Sequence, residues 1–235
     1  MGEWTGSVGV EAAGPYRVIT IENGERNLLN PGVMSALSAA LVEADGDAGV
    51  EGIVLTGSGA VFCGGLDVPA IQAGADPVEF AQSLVALLSL IPTLGTPVTA
   101  AVNGDAVASG ASLAAACDFA VGHPDVRIGT YEVSIGVWPM IAQVPVIKRI
   151  GAKAAMENVG SGEPFTAQRA HEVGLLQRIV AAGAEVEACT AWLRLASRGA
   201  AVYAGGRRSF YEFADMPYEQ ALRASLDRFT AMFNR

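Results

Sequence analysis

The stretch Ile53–Asp67, IVLTGSGAVFCGGLD, leads from an apolar run into a glycine-rich turn. The apolar run predicts a buried strand, and the glycines after it permit close backbone approach and unusual dihedral angles. A phosphate-binding loop is not indicated, because no Gly-Lys-Ser/Thr follows and the GxGxxG spacing is absent. The stretch therefore predicts a strand that ends in a tight turn, and glycines alone do not define its function.

A second stretch, Pro97–Leu113, repeats this plan with the sequence PVTAAVNGDAVASGASL. The buried strand Val98–Val102 ends in a turn at Asn103, and the small residues up to Ser112 begin a helix. Free amides at a helix start favour a negatively charged group in front of them. This turn is therefore a candidate site for holding an enolate oxygen.

A third stretch, Val126–Pro139, contains a single acidic residue after its first strand-like run. Glu132 lies among apolar, aromatic and glycine residues in VRIGTYEVSIGVWP. Removal from water would raise its pKa toward that of a useful proton carrier. From these residues alone, a surface glutamate on a loop is an equal alternative.

Other reactive groups are poor candidates. Neither Ser109 nor Ser112 lies in a G-x-S-x-G elbow, and no base accompanies Cys63. The three cysteines, Cys63, Cys117 and Cys189, form no CxxC pair. The chain has 2 histidines, which is few for a metal site. A disulfide framework, a zinc site and a nucleophilic mechanism are therefore disfavoured, and Cys117 and Cys189 are expected to be buried thiols.

Apolar runs that alternate with helical segments predict an α/β fold. Further strands are expected at Tyr16–Ile21 and Phe119–Val121. Asn30 is a candidate cap for the first helix, and Thr166 for a later helix that ends at Gly174. The last helix is expected from about residue 215, with an apolar stripe for core or subunit packing at Leu222, Leu226, Phe229 and Phe233.

Composition restricts the class of protein further. Hydrophobic residues make up 51% and charged residues 17% of 235 residues, which is typical of one compact domain. The formal net charge of −9 and the absence of basic runs disfavour nucleic-acid binding. Apolar runs such as Leu84–Leu94 fall short of the roughly 20 residues that span a bilayer, and no signal peptide is visible. We therefore expect a cytoplasmic protein.

Taken in order, these segments resemble the crotonase superfamily, the enoyl-CoA hydratase/isomerase family. The resemblance rests on RNLLN at 26–30, FCGGLD at 62–67, the Asn-Gly at 103–104, the Cys-Asp at 117–118 and the helix at 166–175. It implies an α/β fold, a spiral of ββα units with a C-terminal helical region. Residues 1–235 would form one domain, with the spiral core at about 1–190 and a helical trimerisation region at about 191–235. A homotrimer or hexamer is expected.

The resemblance also implies the site. The oxyanion hole would use the backbone amides of Leu66 and Ser109, and Glu132 would move the proton. Trp138 is expected to form part of the acyl pocket, with a core position as an equal alternative. Coenzyme A is part of the acyl-CoA substrate, and no metal or resident cofactor is expected. The residues expected to contact coenzyme A are Glu25, Arg26, Gly64, Leu66 and Val68.

The main departure from the family pattern is at Ser112, and it indicates which reaction of the family is favoured. Hydratases of the family have two catalytic glutamates, and Ser112 stands where the first is expected. One base suffices to move a proton from C2 to C4, and the Δ3,Δ2-enoyl-CoA isomerases resemble this chain there. The sequence therefore favours isomerisation of 3-enoyl-CoA to 2-enoyl-CoA. Hydration, other crotonase chemistry such as decarboxylation or hydrolysis, and non-catalytic acyl-CoA binding are the alternatives.

Two further departures concern the oxyanion turn and the end of the chain. Ala108 and Gly110 flank Ser109 where the family is richer in glycine, so close approach of the thioester is less assured. The chain ends at Arg235, where many relatives continue with another helix that helps to close the coenzyme A site.

Overall fold

A computed structural model describes residues 4, 6–196 and 200–233. Its strands are β1 (Ser7–Ala13), β2 (Tyr16–Glu22), β3 (Gly52–Gly57), β4 (Val61–Cys63), β5 (Val98–Val102), β6 (Asp105–Val107), β7 (Phe119–Gly122), β8 (Arg127–Gly129), β9 (Phe165–Thr166) and β10 (Arg178–Ile179). Its helices are α1 (Pro31–Gly46), α2 (Val68–Gln72), α3 (Pro77–Leu90), α4 (Ser109–Ala116), α5 (Gln143–Ser161), α6 (Ala167–Val173), α7 (Glu185–Ala196), α8 (Ala200–Ala214) and α9 (Tyr218–Phe233). Short 3-10 turns lie at Ile91–Thr93 and Glu132–Ile135.

The strands form two sheets. One has six strands in the order β1-β2-β3-β5-β7-β10, and the other has four in the order β4-β6-β8-β9. In the larger sheet only the β1–β2 pair is antiparallel, and in the smaller sheet only the β8–β9 pair is. The α/β fold expected from the sequence is confirmed.

A ββα unit occurs three times in succession. In each unit the first strand joins the larger sheet and the second joins the smaller one, and a helix follows. The units begin with β3, β5 and β7, which pair in that order, and their second strands β4, β6 and β8 do the same. The chain therefore advances as a spiral, as the resemblance implied.

The central strands of the larger sheet, β3 and β5, are buried on both faces, which explains the continuous apolar run of β3. Ile53 and Leu55 belong to a core cluster shared with α1, α3 and α4, because alternate side chains of a strand point to one face. Val54 points the other way and packs in a second cluster with Cys189 and Leu193 of α7. Burial on both faces holds the first strand of each unit rigidly.

The predicted strands and helix caps are confirmed. Asn30 Oδ1 accepts a hydrogen bond from Val33 N at 2.9 Å at the start of α1, with Pro31 in the first turn. Thr166 Oγ1 accepts one from Arg169 N at 3.2 Å, and Gly174 ends α6 in the left-handed conformation. These caps follow from local sequence, which is why they were predictable.

The C-terminal helices are anchored by one buried ion pair. Arg207 Nε of α8 donates to Asp118 Oδ2 at 2.9 Å, and Arg207 Nη1 donates to Leu94 O at 2.6 Å. Asp118 also accepts hydrogen bonds from Val98 N at 2.8 Å and Tyr211 Oη at 2.5 Å. Because the carboxylate follows directly on α4, this network fixes α8 to the end of the second ββα unit.

The apolar stripe of the last helix was expected to pack in the core or against another subunit, and it does not pack in the core of this chain. Leu222, Leu226, Phe229 and Phe233 are 53%, 63%, 59% and 70% exposed. Among the helices that the structure describes, none is long and apolar enough to cross a membrane.

Candidate active site

The three segments singled out in the sequence lie at one edge of the smaller sheet. Residues 64–67 follow β4, residues 108–109 follow β6 and residues 130–132 follow β8. These strands are parallel neighbours, so the segments that leave their carboxyl ends emerge side by side. The fold therefore brings together the predicted oxyanion turns and Glu132.

The first two turns approach each other so closely that side chains are excluded between them. Gly65 has φ +93°, and a Cβ atom built on it would lie 2.7 Å from Ala108 Cβ and 3.6 Å from Ser109 N. A Cβ atom on Gly110 would lie 2.2 Å from Cys63 O. Glycine at 65 and 110 is therefore required for the start of α4 to contact the end of β4.

Two backbone amides at this contact have no acceptor among the described residues, those of Leu66 and Ser109. The neighbours of Leu66 are fixed to Leu29, because Leu29 N donates to Gly65 O at 2.8 Å and Asp67 N donates to Leu29 O at 2.9 Å. This leaves the Leu66 N–H on the other side of the chain. Buried amides are almost always paired, so two adjacent unpaired ones are suited to an oxygen ligand.

Ala108 has an unusual backbone conformation immediately before the second amide. Its dihedral angles are φ 53° and ψ −122°, which strain any residue with a Cβ atom. Its own amide donates to Gly129 O at 3.0 Å, which holds the turn against the end of β8. The strained residue is therefore held from both sides, and its peptide directs Ser109 N–H.

Glu132 is half-buried at the start of a 3-10 turn, so it is less exposed than the alternative of a surface loop glutamate implies. Its Oε2 accepts a hydrogen bond from Tyr131 N at 2.9 Å. Burial raises the pKa of Glu132 above the ordinary range of a glutamate, and hydrogen bonds from its own amide and that of Tyr131 offset part of this rise. The carboxylate is thus fixed in direction and made more basic.

Ser112, where the resemblance led us to expect the first glutamate of a hydratase, makes its hydrogen bonds within the fold. It has no exposed surface, and its Oγ donates to Ala142 O at 2.7 Å. That bond connects α4 to the residue before α5. The hydroxyl is therefore a structural link, and a nucleophilic role for it is not supported.

The expected coenzyme A contacts line the outer side of the first turn. Glu25 and Arg26 are exposed, Gly64 N donates to Arg26 O at 2.8 Å, and a Cβ atom on Gly64 would lie 3.3 Å from Arg26 Nε. Asn27, buried with φ 49°, fixes this turn by donating to Val61 O at 2.6 Å. The sequence motif contained Asn27, but its role was not predicted.

The remaining predicted residues are exposed. Val68 starts α2 and is 38% exposed, and Trp138 is 44% exposed with Nε1 donating to Gln143 Oε1 at 3.1 Å. The alternative that Trp138 is a core residue is therefore wrong. Ile135 and Val137 are also more than half exposed, so an apolar surface follows Glu132 along the chain.

The cysteines are unsuited to nucleophilic chemistry. Cys63, Cys117 and Cys189 are buried and free, as expected for the last two. Burial raises the pKa of the Cys63 thiol to about 12 and that of Cys189 to about 12. A thiolate is therefore scarce at neutral pH, which removes the nucleophile alternative for Cys63.

A separate cavity of about 620 Å³ lies between α3, the carboxyl end of α4, the start of α5 and α8. Leu88, Ala115, Val144 and Phe210 contribute to its largely apolar lining, with Arg149 among its polar residues. Within the described part of the chain, none of the predicted site residues lines it.

Solved structures share this architecture. The crystal structure of an enoyl-CoA hydratase from Mycobacterium smegmatis superposes with a TM-score of 0.89 at 26% identity, over 97% of this chain and 91% of that chain. An enoyl-CoA hydratase from a Polaromonas species gives a TM-score of 0.89 at 28% identity, over 98% of this chain and 93% of that chain. The fold is thus that of crotonase-type enzymes.

Sequence comparison defines the family. The family model described as Enoyl-CoA hydratase/isomerase matches residues 15–235. A putative enoyl-CoA hydratase of Thermus thermophilus is 36% identical over 180 residues, 74% of this chain and 71% of that protein. A probable enoyl-CoA hydratase of Bacillus subtilis is 32% identical over 175 residues, 73% of this chain and 66% of that protein. The chain therefore belongs to the enoyl-CoA hydratase/isomerase family of the crotonase superfamily.

The contact between the two turns can be tested by adding a methyl group at Gly65 and removing the methyl group of Ala108. Gly65→Ala should lower the free energy of unfolding by about 1–3 kcal/mol, because its Cβ atom clashes with that of Ala108 at a positive φ. Ala108→Gly should raise it by about 1 kcal/mol through relief of strain. Urea unfolding of both single variants and the double variant measures these changes.

In the double variant the clash is absent, so it should be more stable than the sum of the single effects predicts. If the changes in the free energy of unfolding were strictly additive, the Cβ atoms at positions 65 and 108 would not be in contact.

Proposed function

We propose that the protein isomerises 3-enoyl-CoA to 2-enoyl-CoA through a thioester enolate. The observation that carries this is one half-buried carboxylate, Glu132, just past the end of the strand next to the two turns with unpaired amides, and a serine, not a carboxylate, at position 112. The Glu132 carboxylate takes a proton from C2, and the bonding electrons move onto the thioester oxygen. The same proton then returns at C4, and the double bond moves from C3–C4 to C2–C3.

The amides of Leu66 and Ser109 are proposed to stabilise the enolate oxygen. Each donor of this kind is worth about 10²–10³ in rate when its partner carries developing charge. A Cβ atom built on Gly65 would lie 3.6 Å from Ser109 N, and this close approach of the two turns supports the role because both donors must reach one oxygen. Both are backbone groups, so replacing the side chains of Leu66 or Ser109 would not remove them.

The coenzyme A part of the substrate is proposed to lie along Glu25, Arg26, Gly64 and Val68. Arg26 is exposed and its Nε lies close to Gly64, where a guanidinium can meet a phosphate. Trp138 and the neighbouring exposed apolar residues are proposed to contact the acyl chain. No resident cofactor is proposed, and the cytoplasmic location expected from the sequence stays a prediction.

Hydration of 2-enoyl-CoA is the second candidate, because several relatives carry the name enoyl-CoA hydratase. Adding water needs one group that activates the water and another that supplies a proton. Ser112 Oγ donates its hydrogen bond to Ala142 O, so among the predicted site residues Glu132 alone would have to perform both tasks. We therefore rank isomerisation first.

We also propose that copies of the chain associate as a trimer or a hexamer of two trimers through the stripe Leu222, Leu226, Phe229 and Phe233. Four apolar side chains on one face of α9 are more than half exposed, and contiguous exposed patches of this kind mark interfaces.

The mechanism is tested by removing the charge of Glu132. Purified protein is incubated with 3-hexenoyl-CoA, and the conjugated 2-enoyl product is followed by absorbance. Glu132→Gln should lower kcat by about 10²–10⁴-fold, because the amide cannot carry the proton. Glu43→Gln, which changes an exposed glutamate of α1, is the control and should leave the rate unchanged.

Three results distinguish the alternatives. Undiminished turnover by Glu132→Gln would remove this residue from the mechanism. Formation of 3-hydroxyacyl-CoA from 2-hexenoyl-CoA at a higher rate than isomerisation would favour the hydratase. Acyl-CoA binding in a calorimeter, with no turnover of a broad set of substrates, would favour a binding protein.

The rate should depend on pH through the same carboxyl group. The base acts in its ionised form, and its pKa is raised by burial, so kcat/KM should fall as pH decreases through a value above the ordinary range of glutamate. A rate profile from pH 4 to 9 measures this acidic limb. A midpoint at or below that of an exposed glutamate would contradict the proposed environment.

The assembly is tested on α9. Leu226→Glu should shift the protein to monomers in size-exclusion chromatography with light scattering, because it introduces a charge into the stripe. Gln220→Glu adds the same charge on the opposite face of the helix and should leave the assembly unchanged. An unaltered mass for Leu226→Glu would exclude this face as the interface.

A further inference from the structure

The segment from Gly129 to Glu132 connects the two parts of the candidate site. Gly129 O accepts a hydrogen bond from Ala108 N at 3.0 Å, one residue before the Ser109 amide. Glu132 follows three residues later. The distance between the base and the oxyanion amides is therefore set by how the intervening Thr130 is held.

Thr130 is fully buried and bonded to a single side chain, Asn158 of α5. Asn158 Oδ1 accepts from Thr130 N at 2.7 Å and from Thr130 Oγ1 at 3.1 Å, and Asn158 Nδ2 donates to Thr130 O at 2.7 Å. Among the described residues, Thr130 has no other hydrogen-bond partner. The side-chain amide of Asn158 thus makes the hydrogen bonds to the Thr130 backbone that a neighbouring strand would make in a sheet.

Asn158 is itself fully engaged. It has no exposed surface, and its second amide hydrogen is directed to Glu163 O at 2.8 Å. Both donors and both acceptor sites of the amide are therefore occupied, which fixes its orientation. Gly129 admits this approach, because a Cβ atom on it would lie 2.7 Å from Asn158 Cγ.

We propose that Asn158 is a positioning residue for Glu132, which it serves by fixing the backbone of Thr130 between the oxyanion turn and the base. This role rests on the proposed function of Glu132. Asn158 has no exposed surface with which to contact a substrate, so its effect is on the chemical step and not on coenzyme A binding, whose proposed residues lie on other turns.

The main test replaces the amide with an apolar group of similar size. Asn158→Leu removes all four hydrogen bonds, and kcat for 3-hexenoyl-CoA should fall about 10–100-fold, because a base displaced by about 1 Å loses rate on this scale. KM and the affinity for a saturated acyl-CoA should stay within about twofold. Rates are expressed per folded molecule, with the folded fraction taken from circular dichroism.

A matched control separates positioning from loss of stability. Thr99→Val removes another fully buried hydrogen bond, from Thr99 Oγ1 to Ile53 O at 3.1 Å, in the larger sheet. It should lower stability without changing kcat. Equal loss of kcat in the two variants would overturn the positioning role.

A second variant should change the pH dependence of kcat. Asn158→Asp keeps an acceptor for Thr130 N, but its ionised form faces the carbonyl oxygens of Thr130 and Glu163 without a proton to donate. Its kcat should therefore decline at alkaline pH as the new carboxyl group ionises, whereas the unaltered protein should keep its rate there. A pH profile parallel to that of the unaltered protein would contradict the role.

A measurement without turnover keeps this role distinguishable from the proposed function. The Glu132 carboxyl is titrated by carbon NMR in glutamate-labelled protein and identified by its loss in Glu132→Gln. In Asn158→Leu its midpoint should move toward that of an exposed glutamate, since the carboxyl loses its fixed surroundings. Absence of isomerisation in the unaltered protein would refute the proposed function alone, and an unmoved midpoint would refute the positioning role alone.

Discussion

The site depends on one close contact between backbones, where the turn after β4 meets the first residues of α4. Glycine at 65 and 110 lets these segments approach to distances at which a Cβ atom would overlap its neighbours. Without this approach the amides of Leu66 and Ser109 could not serve one oxygen. The strain at Ala108 is the cost of the arrangement, and the bonds around it, including Ala108 N to Gly129 O, hold it in place.

The repeated ββα unit explains why such a contact forms where the strands of the smaller sheet end. The first strands of the units are buried on both faces and fix the spacing, whereas the short second strands pair in parallel and end at the same edge of the smaller sheet. Each unit then contributes one part of the candidate site: the first amide, the second amide and Glu132. The chemistry is thus distributed over segments that are distant in sequence and adjacent in the smaller sheet.

The sequence predicted the parts of the structure that local patterns determine. The caps at Asn30 and Thr166 and the strand Val98–Val102 are confirmed, since each depends on a few neighbouring residues. The short strands β4, β6 and β8 were not predicted, because three residues carry no periodic signal. Asn158 was missed for a similar reason. Its only signal is a polar residue at a helix position that tertiary packing buries, and the partner Thr130 lies 28 residues away.

The bond between Ser112 and Ala142 bears on why this chain lacks the second carboxylate that the resemblance implies for a hydratase. A glutamate at 112 would lose that link between α4 and α5 and would have to fit a longer, charged group where Ser112 has no exposed surface. Restoring a second carboxylate would therefore require the start of α5 to move, and α5 also carries Asn158. On the proposed mechanism, the absence of the second carboxylate and the fixing of Glu132 both depend on the position of α5, through the bond of Ser112 to Ala142 and the bonds of Asn158 to Thr130.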